Sequence, residues 1–88
     1  MNRKDILNVV LENLVDTVEE LEGVEIDPSL SMKDLGANSL DIVEVVSCSM
    51  RELRVKVPRS ELKSLRNINE LVDLLYSIAQ GTAESAST

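Results

Sequence analysis

The 88-residue chain is predicted to fold as an all-α protein, a small four-helix bundle with a long loop between helices one and two and a short third helix. Three observations predict this. Apolar residues recur at helical spacing through three long stretches, residues with helix-starting character open those stretches, and Gly and Pro gather between them. No internal repeat or second domain is visible. Residues 1–80 read as one domain, and the small-residue stretch 81–88 is expected to be a disordered tail.

Asn2 with Asp5 three residues on is a start signal, although a capping box usually has Glu or Gln at the second place. Ile6, Leu7, Val10, Leu11, Leu14, Val15, Val18 and Leu21 then form one broad apolar stripe, opposite Glu12, Asp16, Glu19 and Glu20, so the first helix is expected over residues 3–21. Between residues 22 and 38 the pattern breaks at Gly23, Pro28 and Gly36. This is a loop expected to be pinned to the core by Val24, Ile26, Leu30 and Leu35, with a short helical turn near residues 32–35.

The second helix is expected from Ser39 to Leu53. Val43, Val46, Met50 and Leu53 read as its inward stripe, and Leu40, Ile42 and Val45 widen the apolar surface beyond what one buried face requires. The surplus suits either a wide helix interface or a partner-docking surface that begins at Leu40. Val55, Val57 and Pro58 mark an extended link, a short third helix is expected over residues 60–65, and Asn67 with Glu70 opens a last helix that Gly81 is expected to stop.

A chain this short buries only about 60–65% of the surface it exposes when unfolded. With one aromatic residue, Tyr76, its core must be built from Leu, Ile and Val, and little is left to stack on bases. The net charge of −7 argues against nucleic acid and against an anionic membrane surface. The charge is uneven. Residues 1–45 hold 3 basic and 11 acidic side chains, whereas residues 51–66 hold 6 basic and 2 acidic ones. Partners of the first half are therefore expected to present Arg and Lys.

Cys48 alone can form no internal disulfide, and it reads as a small packing residue. Neither a signal peptide nor an apolar run of transmembrane length is present, so a monomer of the reducing cytoplasm is expected. No His is available as base or ligand, and the acidic residues of the long loop do not follow calcium-loop spacing, so no metal site is expected.

One stretch carries chemistry: Leu35-Gly36-Ala37-Asn38-Ser39-Leu40-Asp41, running into Ile42-Val43-Glu44. Gly36 suits a left-handed turn, and Asn38 and Ser39 are helix-starting types. Read locally, either one is an N-cap. A phosphate on Ser39 would sit beside unpaired backbone N–H groups at the positive end of the helix. As an enzyme the chain is poorly equipped, since Ser39 has no His and starts no Ser-x-x-Lys arrangement.

The string resembles the Leu-Gly-x-Asp-Ser-Leu signature of acyl carrier proteins, and the likeness extends over residues 3–79. The resemblance implies a non-catalytic carrier whose Ser39 bears a covalent phosphopantetheine arm. A phosphopantetheinyl transferase would install that arm from coenzyme A with magnesium, and acyltransferase, ketosynthase or related pathway enzymes would then use it. It further implies docking or packing around the arm at Asn38, Leu40, Asp41, Ile42, Val43 and Glu44.

The chain departs from the pattern at two places. Asn38 stands where the family has Asp, which keeps a cap but loses the charge tied to the magnesium-linked transferase contact. Lower in the second helix, Met50, Arg51 and Arg54 replace a stretch that is acidic in many carriers, so Arg51 and Arg54 imply dedicated partners. Val57-Pro58-Arg59-Ser60-Glu61-Leu62 and the run from Asn67 to Leu74 are similar to stand-alone carriers of bacterial polyketide assembly, including donors of acetyl units for β-branching. The competing reading is a helical adaptor whose acidic half binds a basic protein and whose Ser39 is only a cap.

Overall fold

The computed structural model describes residues 2–62 and 65–87, and for residue 59 and residues 81–87 the backbone alone. Among the described residues four α-helices follow one another: α1 (Arg3–Thr17), α2 (Ser39–Leu53), α3 (Arg59–Leu62) and α4 (Ile68–Ser87). Both α2 and α4 pack against α1. The stripe read from the sequence explains why, because Ile6, Val10 and Leu14 are fully buried and meet Val45 and Val46 of α2 and Ile68, Leu71, Val72 and Leu75 of α4 in one core.

Asn2 caps α1 in a complete box, its Oδ1 accepting from Asp5 N–H at 2.9 Å while Asp5 Oδ2 accepts from Asn2 N–H at 3.2 Å. The helix stops short of the expected residue 21. It ends at Thr17, and Glu19–Leu21 form a separate 3-10 turn. Asp16, Glu19, Glu20 and Glu22 crowd this end with no basic residue in the last turn, where the helix dipole is already negative. Val18 and Leu21 still reach the core through the turn.

The long loop is held partly as the sequence suggests, since Ile26 and Leu35 pack against the core. Val24 and Leu30 are exposed, Ile26 and Leu35 are half-buried, and the buried anchors are Met32 and Ala37. Backbone bonds do the rest. Leu30 O accepts from Ile68 N–H at 3.0 Å and Pro28 O accepts from Asn69 N–H at 2.9 Å, so loop carbonyls satisfy N–H groups that α4 cannot satisfy itself. Asn67 Oδ1 accepts from Glu70 N–H at 2.8 Å, but Glu70 turns its carboxylate to Arg66 N–H at 2.7 Å, which leaves the expected box half made.

Two further boundaries differ. α3 covers Arg59–Leu62, and the end expected for it at residue 65 involves residues 63 and 64, which lie outside the described residues. α4 runs on through Gly81, the expected stop, to Ser87. A glycine inside a helix costs only about 1 kcal/mol relative to Ala, so it does not end one unaided.

Candidate functional site

The site is built where the loop becomes α2. Met32 O accepts from Ala37 N–H at 3.0 Å, closing a turn that carries Gly36 at φ 102°, a backbone setting that favours glycine. Asn38 follows as the N-cap of α2. Its Oδ1 accepts from Asp41 N–H at 2.9 Å, and Asp41 Oδ2 accepts from Asn38 N–H at 3.1 Å. Of the two residues that could have capped this helix, Asn38 does so.

That assignment leaves Ser39 at the first helical position, exposed, with no hydrogen bond from its hydroxyl among the described residues. The N–H groups of Ser39 and Leu40 also have no acceptor among them, as expected for the first turn of a helix. A phosphoryl group on Ser39 Oγ would stand beside free donors at the positive end of α2. The residues present therefore fit a phosphate-linked arm.

Leu40 is 81% exposed and Val43 59% exposed, whereas Val45 is fully buried. This overturns part of the inward stripe read from the sequence, since Val43 lies outside and Val45 inside. Ser49, also fully buried, shares this inward face, its Oγ accepting from the buried Asn13 Nδ2 at 3.3 Å; Asn13 Nδ2 also donates to Val9 O at 2.9 Å. A small hydroxyl with a partner across the α1–α2 interface is at home in the core, which apolar periodicity does not register.

Of the other residues singled out in the sequence, Asp41 is half-buried and committed to the capping box, Ile42 is half-buried, and Glu44 is exposed. Cys48 Sγ donates to Glu44 Oε1 at 3.3 Å, and that carboxylate pushes the thiol pKa up from its ordinary value. A thiol so held is a poor nucleophile. Arg51 and Arg54 are exposed but are not part of this cluster; Arg51 lies about 18 Å along the axis from Ser39, for twelve residues of rise, and Arg54 just past the end of α2.

A groove of about 700 Å³ opens between α2, α3 and the start of α4. Ile42, Val43, Val46, Met50, Val57, Leu62, Leu65 and Leu71 line it, with Lys33 and Arg66 among its polar lining. Val43 places one end of the groove a single helical turn from Ser39. The sequence marked the α2 residues but gave no sign that Met32, Leu62 and Leu71 complete the wall, since they come from three separate segments. Among the described residues, no helix is long and apolar enough to cross a membrane, and no group of three or more His, Cys, Asp or Glu side chains could hold a metal ion.

Residues 9–75 match the family described as phosphopantetheine attachment site. The chain is 34% identical over 80 residues to the polyketide biosynthesis acyl-carrier-protein AcpK of Bacillus subtilis (strain 168), covering 91% of this chain and 98% of that protein. It is 32% identical over 78 residues to an acyl carrier protein of Campylobacter concisus, covering 88% and 95%. A chain from the crystal structure of the curacin biosynthetic pathway HMG synthase in complex with an acetyl donor carrier protein superposes with a TM-score of 0.80 at 31% identity, covering 88% of this chain and 99% of that one. A family match that spans most of the fold, together with whole-length relatives of the same kind, shows that the chain belongs to the acyl carrier proteins, the family that carries phosphopantetheine.

Proposed function

We propose that Ser39 is the attachment residue and that the protein carries acyl intermediates of polyketide biosynthesis without catalysing a reaction of its own. The observation that carries this reading is the division of labour at the head of α2. Asn38 does the capping, so the Ser39 hydroxyl is exposed and unengaged. An adaptor that used Ser39 only as a cap would need the opposite arrangement.

When bound, phosphopantetheine supplies a flexible thiol on which acyl groups travel as thioesters. The chain's own contribution is positional. The box between Asn38 and Asp41 fixes where α2 begins, free N–H groups favour the phosphate, and the apolar groove beside Val43 offers shelter to an acyl chain. Cys48, its proton held toward Glu44, does not compete for the cargo.

Leu40 and Val43 form the exposed apolar contact for a phosphopantetheinyl transferase and for the enzymes that load or unload the arm, with Glu44 supplying charge beside it. Asn38, Asp41 and Ile42 support that surface from behind, and Arg51 and Arg54 extend it toward dedicated partners. Relatives whose names tie them to polyketide biosynthesis and to acetyl donation favour a donor carrier of that pathway. The carrier unit spans residues 1–80, acts as a monomer in the cytoplasm and needs no metal of its own.

Intact mass tests the reading. Co-expression with a promiscuous phosphopantetheinyl transferase is expected to add one arm, and Ser39→Ala to abolish the addition. An unchanged wild-type mass, or an arm that persists on the variant, would overturn it.

A further inference from the structure

The far end of α2 is built in an unusual way. Arg54 N–H donates to Arg51 O at 3.4 Å and Val55 N–H to Met50 O at 3.1 Å, the paired bonds of a Schellman ending. The left-handed position in that motif is normally glycine, yet here Arg54 occupies it at φ 58° and ψ 41°. The chain then folds back, with Val57 N–H donating to Met50 Sδ at 3.2 Å.

The result is a notch of about 480 Å³, floored by Met50, Val55 and Val57 and rimmed by Arg51, Arg54 and Lys56. All three cations are exposed, and none forms an ion pair among the described residues. Like charges gathered around an apolar floor repel one another, and one of them sits on strained backbone. Stability alone would place glycine at position 54, and strain of this kind is characteristic of sites kept for another purpose.

We propose that this notch is a second docking point, which receives an apolar side chain flanked by carboxylates from the enzyme that accepts the acyl group. The proposal rests on the carrier reading of Ser39. Leu40, Val43, Ser47 and Arg51 fall at spacings of three and four along α2, so the notch that Arg51 rims opens on the same side of the helix as the exposed apolar contact. A partner that spans both presents its active-site mouth near Ser39 and its carboxylates about 18 Å further along the axis. A protein surface fits better than a nucleic acid or an anionic membrane, because Glu44 shares this strip and the chain as a whole carries −7.

The test uses acetyl-loaded full-length carrier and the curacin pathway HMG synthase as acceptor. Intact mass first establishes the loaded fraction of each sample, to which the transfer rate is normalised. R51Q/R54Q/K56Q is expected to lose about tenfold or more in kcat/KM at low salt, carried by KM, with the gap to wild type closing as salt rises. R54G is expected to melt higher than wild type yet transfer more slowly, a combination that a damaged fold does not produce. No transfer from the loaded wild type, equal transfer from the triple variant, or a loss carried by kcat overturns the docking point. A wild-type chain that takes no arm overturns the carrier reading itself, and the notch proposal falls with it.

Discussion

Exchanging the neighbours Asn38 and Ser39 for alanine, one at a time, separates the two tasks at the head of α2. Asn38→Ala removes the Oδ1 that accepts from Asp41 N–H at 2.9 Å and leaves the return bond from Asn38 N–H to Asp41 Oδ2 at 3.1 Å without its counterpart. Loss of an Asn cap costs about 1 kcal/mol, within a range of roughly 0.5–2. For a domain of this size each kcal/mol moves the melting midpoint by about 4–8 °C, so a drop of about that size is expected. Ser39→Ala should behave in the opposite way. Its hydroxyl makes no hydrogen bond among the described residues, and alanine is the better helix former by up to about 0.5 kcal/mol, so the midpoint stays level or rises slightly. Thermal melts followed by far-UV circular dichroism, with intact mass after incubation with transferase and coenzyme A, read both properties on each variant. Asn38→Ala should melt lower and still accept an arm; Ser39→Ala should melt normally and accept none. If Ser39→Ala lost as much stability as Asn38→Ala, the hydroxyl would be a structural cap and the reasoning would be wrong.

Three other outcomes follow from the same geometry. Ser49→Ala should destabilise the fold by about 1 kcal/mol in urea unfolding, because it strips a fully buried acceptor from Asn13, which keeps its bond to Val9 O; a gain in stability would show that the pair contributes nothing. Glu44→Gln should speed alkylation of Cys48 at mildly alkaline pH. The carboxylate raises the thiol pKa and so lowers the thiolate fraction at any pH below it; an unchanged rate would mean that the contact does not govern the thiol. Asn38→Asp should leave the capping box able to form while restoring the family's charge, and arm transfer should become faster; an equal rate would separate the magnesium-linked contact from this position.

Features encoded within three or four residues were legible in the chain. The boxes at Asn2 and Asp5 and the start of α2 are local bonds between residues close in sequence, and the resemblance around Ser39 is likewise a short string. Which candidate caps α2 was not legible, since both Asn38 and Ser39 have the chemistry for it. The early end of α1 was half legible, because the acidic cluster after Asp16 was visible but the apolar stripe continued past it.

Sequence alone determined that the protein is helical, where α2 begins, and that Ser39 stands at its head, because the bonds responsible link residues only a few positions apart. Tertiary structure decided which side of α2 faces the core, since apolar residues surround most of that helix and the buried side is the one where Val45, Val46 and Ser49 meet residues of other helices, Ser49 accepting from Asn13. It also decided how the long loop is held, by carbonyls of Pro28 and Leu30 that meet N–H groups of Asn69 and Ile68. The basic notch has the same origin: Met50 and Val57 come together only when Arg54 turns the chain back on itself, so residues that read as a plain charged stretch become the rim of a shaped site.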